Sequence, residues 1–229
     1  MKNRRDIIKY ICNNLSLTKS YLELGLRDPT AVFNHIPCYE KHSVDLNCDS
    51  TFKMSTDIFF NNLEESKLSL PNDFKWDIIF IDANHLANYV YSDFKNSLRH
   101  LSENGVIIFH DVLPHSYESQ LEMGGNQTAW KVVPHILKNY KYVHICTLPE
   151  VDGGLGIAYK AKERPRNLMS STFNPFYEYY VMNEDREYSQ NVIKFDELLS
   201  FFENPFYHFD KRNYKNTDKY LNIYKKIVK

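Results

Sequence analysis

The stretch from Lys75 to Asp111 constrains the chain most, because it reads as strand, helix and strand in immediate succession. Trp76-Asp77-Ile78-Ile79-Phe80-Ile81 and Val106-Ile107-Ile108-Phe109 are short apolar runs rich in β-branched residues, the pattern of strands covered on both faces. Between them Leu86, Val90, Phe94, Leu98 and Leu101 recur at helical spacing, and Asn104-Gly105 supplies a left-handed residue to end the helix. A βαβ unit with its right-handed crossover leaves both strands pointing the same way. Their carboxyl ends carry Asp82 on one side and His110-Asp111 on the other. Neighbouring strands lie about 4.8 Å apart, so adjacency would gather these groups and His85 in one crevice, where open parallel sheets bind ligands.

The flanking segments extend the same alternation. Ile7, Ile8, Ile11 and Leu15 fit one face of an N-terminal helix, and Ser20 to Gly25 reads as a strand ending in glycine. Asp28-Pro29 then predicts a second helix through Ala31, Val32 and Ile36, with Asp28 as its cap. His42 to Asp45 is a second strand, its acidic end about twenty positions beyond the first, where a ribose-binding carboxylate belongs in a dinucleotide-type fold. Phe52 to Met54 forms a short third strand, followed by a helix with Ile58, Phe59 and Leu63 on its apolar face, capped by Ser55, Thr56 or Asp57. After a polar loop at Gly124 to Gln127, Thr128 or Asn126 caps a helix carrying Trp130, Val133, Ile136 and Leu137. Tyr142 to Cys146 and Leu155 to Tyr159, separated by a turn at Asp152-Gly153-Gly154, close the series. The fold class is therefore α/β, a doubly wound, mostly parallel sheet spanning residues 1–162.

Residues 163–229 differ in character and form an aromatic-rich C-terminal extension. Phe173, Phe176, Tyr177, Tyr179 and Tyr180 make one cluster, and Phe201, Phe202, Phe206, Tyr207 and Phe209 another. Packing onto the core or onto a second copy of the chain is the favoured reading, ahead of a sugar-stacking platform. A formal charge of -1 gives no general field for nucleic acid or an anionic membrane. No stretch is long enough to span a bilayer, and the four cysteines lack CxxC spacing, so a cytoplasmic protein with reduced thiols is expected.

Tyr21-Leu22-Glu23-Leu24-Gly25, Val44-Asp45, Phe80-Ile81-Asp82 with His85, Gly105 to Asp111, and Thr128-Ala129-Trp130-Lys131 together resemble the class I S-adenosylmethionine-dependent methyltransferases. The likeness covers roughly residues 20–160 and is nearest to a branch containing metal-dependent sugar O-methyltransferases. It implies a Rossmann-like methyltransferase sheet. It also implies that Glu23 and Gly25 line the turn under the methionine part of the cofactor, that Asp45 accepts the ribose hydroxyls, and that Ser55 or Asp57 lies near the adenine. Asp82 and Asp111 match metal-ligand positions and His85 the general base, with Mg²⁺ the first expectation for the metal. The sequence departs from the pattern twice. Leu26-Arg27-Asp28-Pro29 replaces the usual small residues, with Arg27 a candidate partner for the cofactor's carboxylate. His110 stands where a carboxylate is usual, which turns metal preference toward Mn²⁺, Fe²⁺ or Zn²⁺ if it ligates.

The implied activity is methyl transfer to a hydroxyl of a sugar, glycan or other small acceptor, in glycan or natural-product biosynthesis. Two other classes stay open at this stage. Two histidines and two carboxylates could hold a metal for hydroxylation or hydrolysis on the same fold. Alternatively, the domain could be a non-catalytic, methyltransferase-like binding module that uses its aromatic extension as a partner surface; a homo-oligomer through that extension is a separate expectation.

Overall fold

A computed structural model describes residues 3–116, 118–140, 142–160 and 190–203. Its elements in chain order are α1 (Arg4–Asn14), β1 (Ser20–Leu24), β2 (Glu40–Asp45), β3 (Phe52–Lys53), α2 (Thr56–Glu64), β4 (Trp76–Ile81), α3 (Ala87–Arg99), β5 (Leu101–His110), α4 (Val132–Asn139), β6 (Val143–Leu148), β7 (Leu155–Lys160) and α5 (Leu198–Glu203). The strands form one sheet in the order β3-β2-β1-β4-β5-β7-β6. Pairings from β3 to β5 are parallel, and β7 runs antiparallel to both β5 and β6.

Strand alternation divides the core into two layers. Leu22, Leu24, Ile79, Ile81, Ile107 and Phe109 face the side covered by α2, α3 and α4. Tyr21, Ile78, Phe80, Val106 and Ile108 face the side where α1 buries Ile7, Ile8 and Ile11. Both faces are thus covered, which explains the apolar runs of β4 and β5 and makes the sheet doubly wound. Residues 190–203 pack on the α1 side: Phe195 meets Tyr10 with ring centroids 4.8 Å apart, and the Tyr159 hydroxyl donates to the Phe201 carbonyl at 3.0 Å. Phe201 is buried, while Phe173, Phe176, Tyr177, Tyr179, Tyr180, Phe206, Tyr207 and Phe209 lie outside the described residues.

Four local expectations need correction. Asn104-Gly105 does not end α3. The helix stops at Arg99 with His100 as its cap, and β5 begins at Leu101, with an irregular register between Trp76 and Ile78 that absorbs the extra residues. Asp28 caps no α-helix. Its carboxylate accepts the Thr30 amide at 2.8 Å and the Thr30 hydroxyl at 2.7 Å, closing a local turn, and only a 3₁₀ turn at Phe33–His35 follows. On α2 the buried face is Phe59, Phe60 and Leu63, leaving Ile58 exposed. Thr128 caps a different helix from the one expected: its hydroxyl accepts the Ala87 amide at 2.8 Å, at the start of α3. For Asn104-Gly105 and Thr128 the local signal was overridden by tertiary pairing, whereas Asp28 is satisfied within its own turn.

The α2–α3 contact buries one ionisable group. Asp93 of α3 is 1% exposed, and neither carboxylate oxygen has a well-formed hydrogen bond. Burial pushes its carboxyl up to about 7, against an opposing contribution from Thr56 and with Asp57 adding to the rise. Its folded pKa exceeds the unfolded value, so its cost is absent below about pH 4, grows as pH rises toward 7, and is constant above that. The stability of Asp93→Asn relative to the native chain should therefore increase by roughly 2–4 kcal/mol between pH 4 and pH 7.5. Urea unfolding at both pH values checks this, and a pH-independent difference would contradict it.

Candidate active site

Parallel pairing of β4 with β5, in the register Ile81 opposite Phe109, places Asp82 beside His110 and Asp111 at the carboxyl end of the sheet. His85, in the loop before α3, turns back toward both strand ends. Its Nε2 lies 3.3 Å from Asp82 Oδ1 and its Nδ1 3.0 Å from Asp111 Oδ2. His110 Nδ1 lies 3.1 Å from Asp82 Oδ1 and 3.3 Å from Asp111 Oδ2, while its Nε2 is 3.1 Å from the Asp152 carbonyl. Asp111 has φ 59, a left-handed conformation that points its carboxylate back into this group. The Asn126 amide donates to Asp111 Oδ1 at 2.6 Å, and a Cβ at Gly153 would collide with the same carboxylate.

A fifth ionisable group arrives from the N-terminal helix, far from the others in sequence. Arg4, in the first turn of α1, brings Nη1 to 3.5 Å from Asp82 Oδ2 and to 3.3 and 3.2 Å from the two ring nitrogens of His110. Burial opposes charge on Asp82, but hydrogen bonds from His110 and His85 and the nearby Arg4 outweigh it and hold the carboxyl below its usual range. Burial likewise opposes charge on His110, yet its contacts with Asp111 and Asp82 raise it to about 9. The ring then donates from Nδ1 to the carboxylates and from Nε2 to the Asp152 carbonyl.

Asp82, His85, His110 and Asp111 are the group of candidate metal ligands among the described residues, each offering an atom within 4.8 Å of the others. The ligand–ligand edge around a cation with bonds of about 2.1 Å is about 3.0 Å in an octahedron and about 3.4 Å in a tetrahedron. His110 Nδ1 lies 3.1 and 3.3 Å from one oxygen of each carboxylate, within that interval, so Asp82, Asp111 and His110 fit a divalent cation. An imidazole nitrogen beside two carboxylates suits Mn²⁺, Fe²⁺ or Zn²⁺ better than Mg²⁺, and ligation by His110 requires it to release its proton.

The other residues singled out in the sequence fall elsewhere along the strand ends. Gly25, with φ +89, packs so closely on the start of the β4–α3 loop that a Cβ would collide with the Asp82 carbonyl and with Ala83. Glu23 is buried, burial pushes its carboxyl up to about 8, and the Tyr21 hydroxyl donates to it at 2.6 Å. Arg27 and Asp45 are joined through the backbone: Asp45 accepts the Arg27 amide at 3.0 Å, and also the amides of Asn47 and Cys48. Ser55 caps α2 by accepting the Ile58 amide, and Asp57 accepts a hydrogen bond from Ser92 of α3 at 3.3 Å. These residues stay outside the four-residue cluster. Arg4, Asn126, Gly153 and the Asp152 carbonyl, by contrast, contribute to it without any motif that marks them.

Residues 31–112 match the family model described as a methyltransferase domain, which runs from the segment after β1 through the end of β5. That match covers 82 of the chain's 229 residues and lies within the doubly wound part of the sheet, between β1 and the end of β5. No curated protein matches its sequence. Among solved structures, the methyltransferase PaMTH1 of Podospora anserina, crystallised with S-adenosylhomocysteine, shares 17% identity over 71% of this chain and 80% of its own, with a TM-score of 0.44. A putative O-methyltransferase from Klebsiella pneumoniae shares 17% identity over 70% of this chain and 81% of its own, with a TM-score of 0.45. MycE, a methyltransferase of the mycinamycin biosynthetic pathway in complex with Mg, S-adenosylhomocysteine and mycinamycin VI, shares 11% identity over 69% of this chain and 50% of its own, with a TM-score of 0.44. No helix of the described residues is long and apolar enough to cross a membrane.

Proposed function

We propose that the protein transfers the methyl group of S-adenosylmethionine to a hydroxyl oxygen of a sugar or another small hydroxylated acceptor, in glycan or natural-product assembly. His85 is the general base in this reading, and Asp82, Asp111 and His110 hold a divalent cation. The observation that carries it is the His85 ring, held between two carboxylates at the ends of adjacent parallel strands. When bound, the cofactor supplies an electrophilic methyl carbon and the cation lowers the pKa of the acceptor hydroxyl.

The chain's own residues account for the remaining steps. The shorter contact, from Nδ1 to Asp111, fixes the orientation of the imidazole, and the longer one, from Nε2 to Asp82, is the contact to exchange for an acceptor hydroxyl. With the cofactor bound, Nε2 would take the hydroxyl proton as the oxygen–methyl bond forms and the methyl–sulfur bond breaks to leave S-adenosylhomocysteine, and Asp111 would stabilise the imidazolium. Glu23, Gly25, Arg27, Asp45, Ser55, Asp57 and Asp82 are assigned to the cofactor cleft, spread along the carboxyl edge from β1 to β4. Protonated Glu23 offers a hydrogen bond there in place of a negative charge.

Calorimetric titration of metal-stripped protein with S-adenosylmethionine, with and without Mn²⁺ or Mg²⁺, tests the first requirement. Micromolar affinity, about -8 kcal/mol, is expected. Absence of binding by folded protein under every condition would end this reading.

A further inference from the structure

We infer that Arg4 is an internal competitor for the cation of this site, so that divalent-ion affinity is set by the inward position of its guanidinium. The inference rests on the metal-assisted reading above and concerns a residue that reading does not use. Arg4 Nη1 is nearly equidistant from the two ring nitrogens of His110, at 3.3 and 3.2 Å. The two nitrogens point apart in the ring plane, so an atom equidistant from both is aligned with neither, and each already faces an oxygen of Asp82, Asp111 or Asp152. The ring therefore offers Arg4 no directed acceptor, and Asp82 Oδ2, at 3.5 Å, is what draws the guanidinium in.

Arg4 thus leans on two of the three proposed ligands. A cation held by Asp82 and His110 would have to share both residues with a guanidinium, which keeps its charge at any relevant pH. Like charges this close repel strongly in a partly buried site. The competing charge also borders solvent: Arg4 belongs to the first turn of an 11-residue helix, and its long side chain is 29% exposed, so the guanidinium can turn outward while α1 stays packed. Ion binding and the inward position of Arg4 therefore oppose each other. Withdrawal of Arg4 releases one positive charge from the cluster as the ion supplies two.

Mn²⁺ affinity, measured by electron paramagnetic resonance of the free ion, tests this without any acceptor or turnover. Arg4→Gln should bind Mn²⁺ at least tenfold more tightly than the native chain, whereas Arg4→Lys, which keeps the charge, should stay within about threefold. Asp82→Asn serves as a control that bound ion occupies this cluster. Equal or weaker binding by Arg4→Gln, with Asp82→Asn still abolishing it, would overturn the inference and leave the metal reading standing. No Mn²⁺ binding by either the native chain or Arg4→Gln, both shown folded by circular dichroism, would overturn both.

Discussion

His85→Ala is expected to lower kcat for methyl transfer by roughly 10²–10⁴-fold, the usual contribution of a positioned general base. The effect should appear in kcat, because the imidazole acts on the acceptor proton as the oxygen attacks. Affinity for S-adenosylmethionine should change little, since the residues assigned to the cofactor lie mostly toward β1, β2 and α2. The geometry makes a second comparison informative. Asp111 holds His85 Nδ1 at 3.0 Å, so Asp111→Asn leaves a neutral amide where the imidazolium needs a negative charge. It should lower kcat as well, without removing the base itself. Radiolabelled methyl transfer to a panel of sugars and other hydroxylated acceptors gives the readout. A His85→Ala variant that turns over within threefold of the native chain on the same acceptor would remove His85 from the mechanism.

Gly25→Val should be the most disruptive single change at the site's foundation, costing about 3–5 kcal/mol of stability. Two independent penalties act there. Gly25 has φ +89, a conformation unfavourable for a β-branched residue, and its missing Cβ leaves the space that the Asp82 carbonyl and Ala83 occupy. The Gly25 amide also donates to the Val44 carbonyl at 2.8 Å, and the Asp82 amide donates to the Leu24 carbonyl at 2.8 Å, so the turn ties β1 to both of its neighbours. A side chain at this point has to separate β1 from the start of the β4–α3 loop, moving Asp82 with it. For a chain of this size the loss corresponds to a melting-temperature decrease on the order of 10 °C. Thermal unfolding checks the magnitude, and a decrease of less than about 2 °C would show that the turn can relax without strain. Cofactor binding by whatever fraction remains folded should be weakened too, which separates this glycine from one needed for folding alone.

Much of this architecture could be read from the order of residues. The apolar runs Trp76–Ile81 and Val106–Phe109 identify two buried strands, and a helix between them makes those strands parallel neighbours. Asp82, His110 and Asp111 then follow at their ends by position alone, and His85 lies one turn further along. The helix boundaries were less legible. Asn104-Gly105 has the composition of a helix stop but lies inside β5, because Leu101 pairs with Trp76 before the chain makes its irregular step to Val106. Thr128 has the composition of an N-cap, and it is one, but for a helix 41 residues earlier.

By itself the sequence determined the βαβ centre, the two covered faces of the sheet and the carboxylate–imidazole pairs at its carboxyl edge, because strand period and parallel connection are local properties. The rest of the site was decided in three dimensions. Arg4 reaches His110 across 106 positions, Asn126 grips Asp111 from a loop, and the turn before β7 supplies both the Asp152 carbonyl and the space at Gly153. These contacts follow from how α1 and β7 pack against the sheet. Periodicity indicates which face of a helix is buried, but the electrostatic partner of a charge at its first turn is set by the elements packed beside it.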